Sequence, residues 1–298
     1  MKKRWISWWL IMACLVGQVA CSQADFPVTV GETTIAALPV RVVSLSPLTT
    51  EMLDAIGAAA HLVGRSEQCD YPPAAAAQPS MGTSLNPDVD AIIESGATLV
   101  LTASMLESDA IQRLDAHGIA VLCLTAGEEL EAVRANYVAL ATAMGGANQG
   151  PSNGERAYVM LQERLQAVTN AVQSEEPVKA CYLADLYTAA PSQSMIGELM
   201  EAAGAVNTAN GETWVEDPAA GAQAQVIFCD SSMVDSILTA SAYADSDAVL
   251  TGRVIGIDSA QWQRQGLGLA RTAAEMAAAL HPDCDVPSGW DVLSGQEE

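Results

Sequence analysis

The sequence predicts an α/β fold of two lobes, each with a parallel central sheet, joined by one long helix. Three features of the sequence support this prediction. Short β-branched runs alternate with helical patterns from about Pro39 to Met144, and the same alternation resumes after Pro177. Between the two halves, residues 155–173 carry apolar side chains at helical spacing. Because open parallel sheets gather ligands at the C-terminal ends of their strands, we expect a ligand cleft between the lobes.

The first element is an export signal. Three basic residues at positions 2–4 precede a short apolar run, and small residues lead to Cys21. The run is too short to remain as a membrane-spanning helix. Residues 1–20 are therefore predicted to be a lipoprotein signal peptide, with Cys21 as the lipidated residue of a protein anchored outside the cytoplasm. Processing at Cys14, or ordinary cleavage, is the alternative.

The N-terminal lobe is predicted over residues 38–150, after an N-terminal tether at 21–37. Its first strand, 40–45, is followed by Ser46 as a helix N-cap, Pro47 at the first helical position and a stop at Gly57. The further elements are a short run at 61–64, a long loop to 86, helices at 88–95, 107–117 and 128–144, and strands at 98–101 and 119–122. Residues 145–154, rich in Gly, Asn, Pro and Ser, are predicted to break the last helix.

A connecting helix is predicted within residues 151–176, followed by the C-terminal lobe at 177–285 and an acidic tail at 286–298. Strands are predicted at 178–183, 225–229 and 253–257, with helices at 195–203, 233–238 and 263–281. The alternation again implies a parallel sheet covered on both faces.

Charge and cysteine content restrict the function. The signal contains three of the 13 basic residues and none of the 36 acidic ones, which leaves a mature net charge of −26. Such a surface repels nucleic acid and anionic lipid. Five cysteines remain after Cys21, at positions 69, 123, 181, 229 and 284. An odd number and the absence of a CxxC motif favour buried free thiols, although a pairing of Cys69 with Cys284 stays open.

Several motifs together resemble a known family. Residues 41–53 read RVVSLSPLTTEML, and they are followed by VGR at 63–65 and CDYPP at 69–73. Later come DAII at 90–93, LVL at 99–101, ELMEAAGAVN at 198–207, QVIF at 225–228 and LHPD at 280–283. In this order, these segments are similar to the substrate-binding proteins of ABC importers for iron-siderophore, haem and cobalamin. The resemblance covers about residues 38–285 and implies the same two-lobed fold.

The resemblance also implies partners and docking residues. Members of that family deliver a small ligand to an ABC permease and its ATPase, and an acidic residue on each lobe docks onto permease arginines. The family usually has glutamates there, whereas the nearest matches in this chain are Asp90 and Asp217. The alternative is that both aspartates merely favour the dipole at a helix N-terminus.

Two aromatic residues are candidate ligand contacts. Tyr71 lies in a Pro-rich loop after a strand, and Trp262 follows the last predicted strand. Flat macrocycles bury well against aromatic faces. By resemblance, cobalamin-binding members use aromatics near both positions, although simple loop packing is the alternative for Tyr71. Where that subfamily has a further tryptophan, this chain has Met-Gly-Thr-Ser at 81–84, which weakens the cobalamin assignment and makes Thr83 a candidate contact.

Other candidates depend on the ligand. Anionic ferric chelates favour guanidinium groups, and Arg65 and Arg264 are predicted near the cleft, unless they are surface residues. Ser46 begins a helix whose N-terminus could receive an anionic or carbonyl group. Met105 and Tyr187 are predicted at the rim.

The remaining patterns argue against metal import and catalysis. His61, His117 and His281 lie at the ends of apolar or helical segments, so we interpret them as structural rather than as metal ligands. The sequence has no nucleophile elbow, P-loop, dinucleotide fingerprint or zinc-protease motif. We therefore predict no enzyme and no cofactor.

The predicted function is that of a monomeric substrate-binding lipoprotein of an ABC importer, which captures a ferric siderophore, haem or cobalamin. An extracytoplasmic α/β enzyme and a binding protein for another small solute are the alternatives.

Overall fold

The structure is a computed structural model, and it describes residues 25–209, 211, 213–216 and 218–287. The predicted signal peptide, Cys21, Asp217 and the acidic tail from residue 288 lie outside the described residues. None of the described helices combines the length and the apolar character that crossing a membrane would need.

The N-terminal lobe contains a four-stranded parallel sheet of order β4-β3-β5-β6. Its strands are β3 (Val42–Ser44), β4 (Leu62–Arg65), β5 (Leu99–Thr102) and β6 (Ala120–Cys123), preceded by the hairpin strands β1 (Val28–Val30) and β2 (Thr33–Ile35). Its helices are α1 (Pro47–Ala55), α2 (Pro73–Ala76), α3 (Val89–Glu94) and α4 (Ser108–Asp115), with a 3₁₀ turn at Ala59–His61. Alternate residues of β3 and β5 are buried in two different apolar clusters, so helices cover both faces of the sheet.

The C-terminal lobe contains a six-stranded sheet in which β7 (Val178–Leu183), β11 (Val226–Asp230) and β12 (Val254–Ile257) are parallel. The short strand β9 (Ala205–Asn207) also pairs in parallel with β7, whereas β8 (Thr188–Ala189) and β10 (Val215–Glu216) are antiparallel additions that the sequence pattern did not predict. The helices are α6 (Met195–Ala202), α7 (Ala219–Ala222), α8 (Val234–Thr239), α9 (Asp247–Leu250), α10 (Ser259–Gln263) and α11 (Gly268–Leu280), with a 3₁₀ turn at Ser231–Met233. The predicted fold class, two α/β lobes with parallel sheets and one long helix, is confirmed.

The long helix α5 (Leu130–Val172) differs from its prediction. Of the segment 145–154 that was expected to break it, only Gly146 leaves helical geometry, with φ 80° and ψ 177°. The helix reverses there, and its first arm (residues 130–145) packs against its second arm (residues 147–172). A Cβ at Gly154 would lie 2.5 Å from Val138 Cα, and one at Gly150 would lie 2.6 Å from the Ala141 carbonyl oxygen. These two glycines therefore permit close packing rather than ending the helix.

Two further segments differ from the sequence prediction. Residues 28–35, assigned to the tether, form a hairpin whose Val28 and Ile35 are buried against the N-terminal lobe, because alternate strand residues point to one face. The last helix, expected over 263–281, is two helices separated by a turn at residues 264–267, where Gln265 has a φ of 53°. That left-handed residue interrupts the helical path and presents the turn to the N-terminal lobe.

Candidate ligand-binding cleft

A cavity of about 540 Å³ lies between the lobes, where strand ends of both sheets converge. From the N-terminal lobe it is lined by Ser46, Pro47, Leu48, Gln68, Ala103, Ala126 and Gly127, which follow β3, β4, β5 and β6. From the C-terminal lobe it is lined by Ala260, Trp262, Gln263, Arg264 and Gln265, which follow β12. The cavity therefore occupies the position that parallel topology favours for ligands.

Buried hydroxyl groups hold the N-terminal wall of the cavity in place. The Ser44 and Thr49 hydroxyls lie 2.7 Å apart, and the Thr50 hydroxyl oxygen lies 2.8 Å from Ser44 Oγ. Ser46 is the N-cap residue of α1, as predicted, but its side chain makes no capping hydrogen bond. Its carbonyl oxygen instead accepts from the Thr50 amide and hydroxyl. These hydrogen bonds stabilise the turn from β3 into α1.

Charged residues bridge the lobes at the edge of the cavity. Arg264 Nη1 of the C-terminal lobe donates to Asp70 Oδ1 at 2.8 Å and lies 3.4 Å from Glu51 Oε1. Glu51 is 6% exposed, and its burial raises the pKa of the carboxyl to about 7, although Arg264 opposes the rise. The hydrogen bond from Arg264 lowers the pKa of Asp70 below its usual value. Two acidic partners therefore share one guanidinium group.

The side-chain amide of Gln265 forms a second bridge between the lobes. Gln265 Nε2 donates to the Gly127 carbonyl oxygen at 2.6 Å, and the Gly127 amide donates to Gln265 Oε1 at 2.9 Å. The two hydrogen bonds form a ring like that of a backbone pair, and Gln265 is 1% exposed.

The two predicted aromatic contacts take different positions. Trp262 lines the cavity and meets Tyr182 edge to face, with ring centroids 6.1 Å apart. Tyr71 is half-buried in the loop after β4 and precedes a cis proline. Its ring lies 5.7 Å from the guanidinium carbon of Arg271 on α11, at the junction of the lobes, and does not line the cavity.

The other candidate ligand residues are distributed around the cleft. Arg65 donates to the carbonyl oxygens of Ala76 and Ser66, at 3.0 Å and 2.9 Å, so its guanidinium organises a loop. Thr83 Oγ1 accepts from the Asn86 amide in a turn. Met105 is 76% exposed in the loop after β5, and Tyr187 is 59% exposed beside a separate cavity of about 650 Å³.

Of the two candidate docking residues, one is described. Asp90 is exposed in the first turn of α3, and its carboxylate lies 2.5 Å from Arg113 Nη2. Asp217 lies outside the described residues. Cys69, Cys123, Cys181, Cys229 and Cys284 are free thiols, so Cys69 and Cys284 do not pair. Within the part of the chain that the structure describes, no group of three His, Cys, Asp or Glu side chains could hold a metal ion.

Sequence reasoning missed the residues that join the lobes. Glu51 was part of the family-like motif, but nothing in the motif indicated that it meets Arg264. Gln265 was expected inside a helix, Asp70 was only a member of the CDYPP motif at 69–73, and Gln68 was not predicted at all. No local sequence pattern predicts these contacts, because the two residues of each contact lie in different lobes.

Two α/β lobes that are joined by a helix, with a cleft between opposing strand ends, form the architecture of a protein that binds a small molecule. Residues 42–261 match the family described as periplasmic binding protein, and the chain belongs to that family. Its members are extracytoplasmic binding proteins rather than enzymes.

Particular relatives agree with this membership. A cobalamin-binding protein of Halobacterium salinarum is 26% identical over 286 residues, covering 88% of this chain and 75% of that protein. The uncharacterized ABC transporter substrate-binding lipoprotein YvrC of Bacillus subtilis is 25% identical over 279 residues, covering 87% of each. The structure resembles the apo form of the periplasmic heme-binding protein RhuT from Roseiflexus sp. RS-1, with a TM-score of 0.64 and 21% identity over 81% of this chain and 98% of that one. This last likeness concerns the fold alone.

Proposed function

We propose that the protein is the substrate-binding subunit of an ABC importer and that its ligand is a corrinoid. It captures the ligand outside the cytoplasmic membrane and hands it to a permease that works with an ATPase. The observation that carries the ligand class is the charge of the cavity. Among the described residues that line it, Arg264 is the one cation, and Asp70 and Glu51 already contact its guanidinium group.

A corrinoid suits such a cavity better than the other two ligand classes. Its flat ring carries mainly neutral amide side chains, which match Trp262 and the carboxamides of Gln68 and Gln263 along the walls. Haem carries carboxylates, and ferric catecholates are anionic, so both favour unpaired guanidinium groups. The acidic surface of the mature chain also repels anionic chelates.

The relatives support the same function. The cobalamin-binding protein of Halobacterium salinarum aligns with most of this chain, and YvrC is described as an ABC transporter substrate-binding lipoprotein. We further propose that Cys21 carries the lipid anchor, that Asp90 and Asp217 dock onto the permease, and that the protein acts as a monomer.

Calorimetry on residues 22–298 tests the ligand class with three ligands: cyanocobalamin, haemin and a ferric catecholate. We expect cyanocobalamin to bind with a Kd of about 1 μM or tighter. Its binding should change little between low and high salt, because no net charge is neutralised. Binding of the ferric catecholate alone, with a salt dependence that Arg264→Gln removes, would contradict the corrinoid proposal. Binding of haemin alone, with a visible spectrum altered by Tyr71→Phe, would instead favour haem.

A further inference from the structure

The paired hydrogen bonds between Gln265 and Gly127 join the lobes at the wall of the cavity. Gly127 follows β6 in the N-terminal lobe, whereas Gln265 lies in the turn between α10 and α11 of the C-terminal lobe. Both amide atoms of the side chain are used, at 2.6 Å and 2.9 Å. Because Gln265 bonds to the backbone of Gly127, the two hydrogen bonds hold the loop after β6 independently of the side chains around it.

The conformation of the turn at residues 264–267 directs Gln265 towards the N-terminal lobe. Gln265 has a φ of 53°, a left-handed conformation that non-glycine residues adopt only where the surroundings stabilise it. Its carbonyl oxygen is 3.5 Å from the Tyr137 hydroxyl of α5. On either side, Arg264 contacts Asp70, and a Cβ at Gly266 would lie 2.5 Å from Glu51 Oε2. The whole turn is therefore held against the N-terminal lobe.

The pair also separates two cavities. Gly127 lines the cavity of about 540 Å³ that contains Trp262, and it lines a second cavity of about 640 Å³. The second cavity is bordered by Glu128, Glu129, Asn136 and, from the C-terminal lobe, Gln193. Because Gly127 lines both cavities, the Gln265–Gly127 pair lies at their common border.

We propose that Gln265 is a positioning residue: its carboxamide sets the spacing between the lobes and thereby the width of the ligand cavity. Although Gln265 lines the cavity, both polar atoms of its carboxamide are engaged with Gly127, so the carboxamide acts through that loop. The choice of cyanocobalamin as the ligand rests on the proposed function, whereas the role of Gln265 in lobe spacing does not depend on which ligand binds.

The test uses Gln265→Leu, which keeps the size of the side chain and removes both hydrogen bonds, and Gln265→Glu, which keeps its length and, at a pH where the carboxyl is ionised, removes the donor. Non-natural amino acids at exposed positions 115 and 250, one in each lobe, carry fluorophores that report the interlobe distance. Calorimetry measures the Kd for cyanocobalamin in the same proteins. Gln225→Leu is the matched control, since Gln225 Oε1 also accepts from a backbone amide, that of Lys179, but within one lobe.

Both Gln265 variants should show a longer or broader interlobe distance, and cyanocobalamin should bind about tenfold more weakly, as expected for the loss of one or two interlobe hydrogen bonds. The control should match the parent protein in both measurements. An unchanged distance in both variants would overturn the proposal, and so would a changed distance with unchanged affinity. If the parent protein does not bind cyanocobalamin, the corrinoid proposal fails, and the distance measurement alone decides the role of Gln265.

Discussion

Glu51 of the N-terminal lobe and Arg264 of the C-terminal lobe lie 3.4 Å apart, Oε1 to Nη1, at the edge of the cavity between the lobes. The carboxyl side chain is 7% exposed and the guanidinium side chain 23% exposed. Removing a carboxylate from water opposes its ionisation, whereas the nearby cation favours it. Desolvation is the stronger effect here, since the pKa of Glu51 rises to about 7. The pair therefore links protonation near neutral pH to the contact between the lobes.

Stability should consequently depend on pH through Glu51. The pKa in the folded protein, about 7, exceeds the ordinary value of 4.5 expected in the unfolded chain. The stabilising contribution of the protonated carboxyl is therefore complete below about 4.5 and is lost as pH rises to about 7. Over this window, the free energy of unfolding should fall by at most about 1.4 kcal/mol per pH unit.

Urea unfolding of the natural protein and of Glu51→Gln across this range measures the effect. The variant cannot titrate at this position, so the difference in unfolding free energy between the two proteins should change within the window and level off above it. A difference that stays constant at every pH would show that Glu51 does not titrate there.

Truncation of Trp262 should weaken ligand binding. We expect Trp262→Ala to weaken the binding of cyanocobalamin about thirtyfold, because an aromatic wall of the cavity is lost, and Trp262→Phe to retain much of the affinity. Calorimetry measures both variants. Trp214→Ala is the matched control, because Trp214 is 43% exposed and does not line the cavity. Equal affinities of all three variants for cyanocobalamin would show that Trp262 does not contact the ligand.

Removal of the candidate docking carboxylates should abolish transport without affecting binding. Asp90→Ala combined with Asp217→Ala should prevent uptake in cells, because charged contacts mainly govern association with the permease and its orientation. Asp109→Ala provides a control, since Asp109 also lies in the first turn of an N-terminal-lobe helix. Uptake at the natural rate by the double variant would contradict the assignment.

Loss of Cys21 should release the protein from the membrane. Cys21→Ala removes the proposed acylation site, and two or three acyl chains are enough to hold a soluble domain at a membrane. Fractionation of cells should find the variant in the soluble fraction. Mass spectrometry of the natural protein should show an acylated N-terminal cysteine, and an unmodified N-terminus at any other residue would exclude the anchor.

A side chain at Gly154 should destabilise the α5 hairpin. Gly154→Ala would place a Cβ 2.5 Å from Val138 Cα and 2.6 Å from the Tyr137 carbonyl oxygen, so the arms must separate. We expect a loss of about 1–3 kcal/mol in the free energy of unfolding, measured with urea, as for other overpacked contacts. Ser152→Ala, at an exposed position of the same arm, should leave stability nearly unchanged. An equal effect of both substitutions would argue against close packing at Gly154.

The two-lobed fold follows from local sequence patterns, because the period of apolar residues records which side of each strand and helix is buried. The sequence also placed Ser46, Trp262 and Arg264 near the cleft, since residues that follow parallel strands share one edge of a sheet. These inferences need only local order along the chain. Local patterns did not predict the role of the glycines in α5. Their composition indicated a break in the helix, whereas in the structure Gly150 and Gly154 allow its two arms to pack closely.

The polar contacts across the cleft, in contrast, depend on how the two lobes pack together. Glu51 and Arg264 are separated by 213 residues, and Gly127 and Gln265 by 138. No periodicity relates positions so far apart, because their distance depends on how the lobes turn about α5 and on one left-handed residue between α10 and α11. The raised pKa of Glu51 also depends on tertiary structure, since desolvation acts on the carboxyl only once the fold has buried it.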